Sequence, residues 1–264
     1  MIIQCKDNDI NSIFNYIGED YGKCLYIYID LKKYSLNDKN FNIWLQYNEN
    51  NEICALISEY YGGIQIYSKK LDFIVMEIAQ FIKSKESNSI FGMKPILDEL
   101  YEFLPYYHQE TGYVGELTEL KYPPNPNSYS ASLDELDEIV KIIAEDEDIG
   151  KPYGYESLYN QYYKRKKENF GRNYILRDPE NNEIIGHAGT YAELPELAVI
   201  GGVITAVPYR RKGFSKQVLS TLCHQLKSEN KRIFSYFYVP SGIRLHHSIG
   251  FEDIGEWSKL QKID

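Results

Sequence analysis

Apolar residues in this 264-residue chain follow two periods, and the periods alternate along it. Strand-length apolar or alternating runs occur at 24–31 (CLYIYIDL), 42–48, 52–60, 63–67 and 89–93. Leu71, Ile74, Val75, Ile78, Ala79 and Ile82 make a helical stripe over 71–83, and 96–104 reads as a helix starting behind Pro95. The pattern breaks at 121–127 (KYPPNPN), where three prolines in four residues suit a semi-rigid connection. Beyond it come a short strand at 128–131 and a helix at 133–144, which Ser132 would cap with Glu135 as the reciprocal member of the box. A helix at 155–167, two strands within 172–184 and a β-branched strand at 197–205 follow. Phe214, Val218, Leu219, Leu222, Cys223 and Leu226 then share one helix face, and 232–239 alternates as a further strand. The element types predict an α/β protein.

An internal echo divides that pattern. Residues 41–53 and 172–184 both read strand, turn, strand, and both turns run into the same five residues, ENNEI. After each comes another strand, a striped helix, a strand and a helix, so two copies of one architecture are expected. The proline-rich stretch lies between them. Arginine usage changes across it: all seven arginines, Arg165 to Arg244, come after. The expected division is 1–122, a linker at 123–127 and a second domain at 128–264.

Composition narrows the chemistry. A formal net charge of −9, from 29 basic and 38 acidic side chains, argues against a general nucleic-acid binder. Cys5, Cys24, Cys54 and Cys223 are scattered, which fits a reduced cytoplasmic protein. No apolar run approaches membrane-spanning length, so no membrane role is expected. The five histidines show no metal-ligand spacing, and the chain contains no HExxH, CxxC, G-x-S-x-G or GxxxxGK[ST] sequence.

One stretch carries positive chemistry. Between the strand at 197–205 and its helix lies Tyr209-Arg210-Arg211-Lys212-Gly213-Phe214-Ser215, three cations followed by a glycine at a helix start. Exposed backbone N–H groups, the helix dipole and flanking charge all favour an anion such as phosphate there. The Gly201-Gly202 pair in the preceding strand marks a bulge or a close backbone approach. The acidic run Glu145-Asp146-Glu147-Asp148 reads as a solvated loop, with the border of a cationic acceptor site as the alternative.

This stretch resembles the acetyl-CoA signature of the GNAT acyltransferase superfamily, as Arg210-x-x-Gly213-x-Ser215, with serine where the family has glycine or alanine. Leu245-His246-His247-Ser248-Ile249-Gly250-Phe251 is similar to the family's closing LYxxxGF element, with His246 in the tyrosine position and Val239 where asparagine is common. The resemblance implies a GNAT fold, a mixed central sheet flanked by helices, in two GNAT-like units of which the first is degenerate. It implies acetyl-CoA as cosubstrate, no metal, and transfer of acetyl to a small-molecule or peptide amine by direct attack. Val203, Ile204 and Thr205 would offer backbone N–H groups to the thioester, and Arg210, Arg211, Lys212, Gly213, Phe214 and Ser215 would surround the pyrophosphate. Glu193 or Glu196 would serve as base, directly or through water. His187 could do so too, although a structural histidine is the expected reading. His246 would protonate the departing thiolate, with Tyr238 as the alternative. A noncatalytic acyl-CoA-binding or regulatory module is the competing reading, and the first half is left a partner-binding or homodimer-forming role.

Overall fold

The buried run at 24–31, expected as a strand, is a helix, because its apolar residues fall on both parities and are buried nearly all round. Leu25, Ile27, Tyr28, Ile29 and Leu31 are all inaccessible, and Tyr28 N donates to Cys24 O at 3.0 Å. A short continuous apolar run carries no period that separates a strand from an enclosed helix. In the computed structural model, which describes residues 1–34, 36, 38–147 and 149–263, two units emerge: Met1–Val114 with Asp253–Asp264, and Gly115–Glu252.

Unit 1 runs β1 (Ile2–Gln4), α1 (Ile10–Ile17), α2 (Leu25–Lys33), β2 (Phe41–Tyr47), β3 (Ile53–Tyr60), β4 (Gly63–Tyr67), α3 (Val75–Lys85), β5 (Ser89–Met93), α4 (Lys94–Tyr101) and into β6 (Tyr107–Leu117). β1 to β4 pair antiparallel in order, and β4 pairs parallel with β5. The core of this unit gathers Trp44, Ile57, Ile66, Ile78, Ile90 and Leu97 from both strands and helices.

Unit 2 repeats the order: β7 (Tyr129–Ser130), α5 (Leu136–Ala144), α6 (Tyr155–Lys167), β8 (Asn173–Arg177), β9 (Ile184–Glu193), β10 (Leu197–Thr205), α7 (Phe214–Ser228), β11 (Arg232–Phe237), α8 (Pro240–Ile249) and into β12 (Phe251–Lys262). β7 to β10 pair antiparallel in order, and β10 pairs parallel with β11. Each unit is therefore a mixed sheet flanked by helices, and the chain runs through the same order of ten element types twice. The ENNEI turns match in detail, Asn51 (φ 61°) and Asn182 (φ 63°) each taking the left-handed turn position that asparagine tolerates.

The chain division differs from the expected one at both ends. It falls at Val114/Gly115 inside β6, so 123–127 lies within unit 2, and residues 253–264 belong to unit 1. There Trp257 to Gln261 of β12 pair antiparallel with Met93 to Ser89 of β5, and Leu260 enters the unit 1 core. Strand pairing between residues about 170 positions apart leaves no local mark in sequence. The helix expected at 133–144 starts at Leu136. Half of the predicted box forms, the Ser132 N–H donating to Glu135 Oε2 at 2.8 Å.

Candidate active site

β10 pairs with β11 only from Leu197–Arg232 to Ile200–Ser235. Beyond Ile200 the two parallel strands part, and Gly201 to Thr205 continue without β11 partners. On the β9 side the register slips between Gly201 and Ile204, which is the bulge that the glycine pair predicted. Gly202 has φ 63°, and a Cβ on it would sit 2.4 Å from the Tyr162 hydroxyl; one on Gly201 would sit 2.3 Å from the Tyr191 ring. Glycine is thus required twice, once for backbone angle and twice for space.

The opening between the parted strands is a cleft of 490 Å³ lined by Val203, Ile204 and Thr205 on one side and by Val239, Gly242 and Leu245 on the other. Arg210, Arg211, Gly213 and Ser215 close its end. Gly213 caps α7 at φ 82° with no atom within 4 Å of where a Cβ would lie, so the corner is open toward solvent. Thr205 Oγ1 accepts from the Ser215 N–H at 3.1 Å and is hydrogen-bonded to the Ser215 hydroxyl, tying the strand end to the first turn of the helix. Serine in place of glycine or alanine is therefore matched by a threonine partner. Arg210 donates through Nε to Thr205 O (3.3 Å) and pairs through Nη2 with Asp146 Oδ2 (3.0 Å). Asp146, from the acidic run expected to be solvated, is largely buried and lines the cleft; Asp148 lies outside the described residues. Lys212 lies over the Tyr209 ring at 5.6 Å, and Phe214 packs edge-on against the same ring, so neither lines the cleft.

The expected acid–base residues are not gathered at this cleft. Glu193 sits at the opposite end of β10: its register partner Ala198 is seven residues before Thr205, roughly 20 Å of strand. Its carboxylate accepts from Arg172 at 2.8 and 2.6 Å and from Thr190 Oγ1 at 2.7 Å. Glu196 precedes β10 at that same far end, its carbonyl accepting from Arg232 N. His246 is buried and stacks on Phe237 at 4.7 Å. Its Nδ1–H donates to the Gly242 carbonyl (2.8 Å) and its Nε2 accepts from Ser235 Oγ (3.0 Å). Burial lowers its pKa to about 4, so the ring is neutral, with both nitrogens committed, and is a packing residue rather than a poised donor. Tyr238 follows β11 and is half exposed, outside the cleft lining. His187 is structural: Nδ1–H donates to Gly202 O (2.6 Å), Nε2 meets the Asn173 side-chain amide at 3.0 Å, and burial again takes the pKa to about 4.

Two groups were not singled out by sequence reasoning. Ile149, Lys216, Ser241 and Gly242 complete the cleft wall. Tyr162, Arg165 and Tyr191 stand over the bulge; the tyrosine-rich helix at 155–167 and the Gly201-Gly202 pair were the signals for them. Among the described residues no group of histidine, cysteine and carboxylate side chains could hold a metal, and no helix is long and apolar enough to cross a membrane.

Comparison with known proteins agrees with this geometry. Residues 136–251 match the model of the Acetyltransferase (GNAT) family. No curated protein matches the chain. Among solved structures, it is similar to a GCN5-related N-acetyltransferase from Sphaerobacter thermophilus (TM-score 0.66, 14% identity, 99% of this chain and 95% of that one). An acetyltransferase from the GNAT family of Colwellia psychrerythraea gives a TM-score of 0.60 at 12% identity over 99% of both chains. A tandem GNAT protein from the clavulanic acid biosynthesis pathway gives 0.58 at 9% identity over 98% and 97%. Residues 136–251, which build the cleft, thus match the GNAT family, and the chain shares its fold end to end with GNAT proteins, a tandem one among them.

Proposed function

We propose that unit 2 binds acetyl-CoA in the cleft between β10 and β11 and transfers its acetyl group to the amine of a small molecule or peptide. The observation that carries this reading is the coincidence of parted parallel strands with an open, left-handed glycine corner flanked by Arg210 and Arg211 at a helix start. The corner fits a pyrophosphate: Arg210, Arg211, Gly213 and Lys216 line the same space at a helix start. The edge of 203–205 that has no β11 partner fits the thioester, because N–H groups held rigidly by a strand stabilise negative charge on a carbonyl oxygen without reorganising. Acetyl-CoA supplies the activated acyl group. The amine lone pair forms the C–N bond as the C–S bond breaks, and the proton lost by nitrogen balances the one gained by sulfur.

With His246 sealed in the core and Glu193 locked to Arg172, neither expected residue is assigned a proton. Solvent in the open cleft takes that role in this reading, and Tyr238→Phe is expected to leave kcat within about twofold, since no reacting atom loses a partner. A reduced cytoplasmic setting belongs to the same reading and rests on four buried cysteines without a disulfide.

Calorimetric titration with acetyl-CoA, followed by thiol release across a panel of amines, tests the assignment. Binding with turnover supports it. Binding without turnover on any amine supports the noncatalytic acyl-CoA-binding reading. Absence of binding overturns both.

A further inference from the structure

The bulge of β10 carries a polar cluster that the cofactor cleft does not use. Tyr162, from α6, is 2% exposed, and its hydroxyl, which lies against Gly202, makes no hydrogen bond of good geometry among the described residues, although it interacts with the Tyr191 side chain. A buried polar atom without a partner is costly unless something supplies one. Burial pushes this phenol well above the ordinary tyrosine range, with the neighbouring Tyr191 adding to the effect, so it keeps its proton at neutral pH. Tyr191 covers Gly201 from β9, its ring 6.3 Å from that of Tyr162 at 82°.

Arg165, one turn further along α6, lies over both rings, at 4.8 Å from Tyr191 and 5.5 Å from Tyr162. Among the described residues its guanidinium donates to the neutral Gln161 side chain, at 3.2 Å. Arg172, Arg177 and Arg232 of the same unit are each paired with carboxylates; Arg165 has no ion-pair partner among the described residues. Tyr162 packs with Ile204, and Ile204 also lines the cofactor cleft, so the cluster adjoins the backbone assigned to the thioester.

We propose that Tyr162, Tyr191 and Arg165 form the acceptor subsite of unit 2, and that it takes a primary amine bearing a carboxylate, of the free amino-acid type. This rests on the transferase reading above. The aromatic faces that would otherwise attract a cationic amine are already occupied by a guanidinium, so a purely cationic acceptor meets a like charge. A carboxylate meets a planar fork that can bind it through two parallel hydrogen bonds. The same positive charge disfavours the ammonium form of the adjacent amine, so the subsite helps to free the nucleophile where the cleft lacks a base. The Tyr162 hydroxyl then gains a hydrogen bond of good geometry.

The test uses the full chain saturated with CoA, titrated in a calorimeter with N-acetylglycine and N-acetyl-L-leucine and with the amides of both. The carboxylates are expected to bind at least tenfold more tightly than the amides. Arg165→Gln should erase that gap and Arg165→Lys keep part of it. Tyr162→Phe, which removes only the hydroxyl and should not unfold the chain, is expected to weaken the carboxylates threefold or more. Equal or tighter binding of the amides, a gap that survives Arg165→Gln, or no binding of either carboxylate overturns the proposal. A chain that acetylates glycinamide better than glycine keeps the transferase reading and loses this one. A chain that binds the carboxylates through Arg165 yet releases no thiol from acetyl-CoA with glycine or leucine keeps the subsite and loses the transferase reading.

Discussion

β4 with β5 in unit 1 and β10 with β11 in unit 2 are the same parallel pair in two copies, yet only the second opens. β4 has five residues, and four of them, Gly63 to Ile66, pair with Ser89 to Gly92. The strands press together at that end, where a Cβ on Gly92 would lie 2.7 Å from Ile66 O. β10 has nine residues, pairs through four, and carries the other five past the point of separation. The corners after the strands differ as much. In unit 1, Ser68 Oγ donates to Cys54 O (2.7 Å), the Lys69 N–H to Tyr16 Oη (3.1 Å), and Lys69 Nζ to Tyr16 O (3.3 Å). In unit 2 the glycine corner faces open space. The shared topology thus supplies a place for a cleft; surplus strand length, a glycine bulge and an open glycine corner make one.

Four measurements would break or sharpen that contrast. The largest effect is expected from Gly213→Glu, which puts bulk and negative charge at the open corner: acetyl-CoA affinity in calorimetry should fall a hundredfold or more. The melting temperature should move little, since nothing crowds the position and a side chain at positive φ costs about 1 kcal/mol. Equal binding by the variant would place the anion site elsewhere.

Acid should separate the units next. His187 and His246, both in unit 2, have folded pKa values near 4, below the unfolded value. Their contribution is full above the unfolded pKa, roughly 6.5, and is lost as pH falls toward 4, at up to a few kcal/mol per ring. Asp30, in unit 1, has the opposite sign: burial raises its carboxyl to about 7, so unit 1 gains stability as pH falls from 7 toward 4. Hydrogen exchange at pH 7 and pH 5, corrected for intrinsic rates, should show β9 to β11 losing protection while β2 to β4 hold theirs. Uniform loss across both units would refute the assignment.

A smaller effect is expected at Asp146, which holds Arg210 inside the cleft. Asp146→Asn frees the guanidinium and removes a negative charge beside the phosphate site. Acetyl-CoA affinity should rise by about fivefold, the size of a partly exposed ion pair of about 1 kcal/mol. Weaker binding would show that Asp146 positions Arg210 instead of competing for it. The smallest effect belongs to unit 1: Lys69→Gln with Lys70→Gln should leave acetyl-CoA affinity unchanged within twofold, because the corner they flank follows closed strands. A clear loss of affinity would mean that the first copy also contributes to cofactor binding.

Local requirements were legible in the sequence. The strand at 197–205, the helix at 155–167, and the glycines at 201, 202 and 213 stand where the pattern placed them. Side-chain period and positive φ are set by a handful of consecutive residues, so a turn from strand to helix declares itself without the rest of the chain. The repeat was readable for the same reason, through one ENNEI turn whose asparagine must be left-handed in each copy. Only tertiary structure could decide that CLYIYIDL is a helix, since its burial comes from elements that surround it. It also decided that β12 completes the sheet of unit 1, that Glu193 is claimed by Arg172, and that His246 is sealed between Phe237 and Phe251. Partner choice, burial and pKa are properties of residues brought together from far apart in the chain, and no window of sequence contains both halves of such a contact.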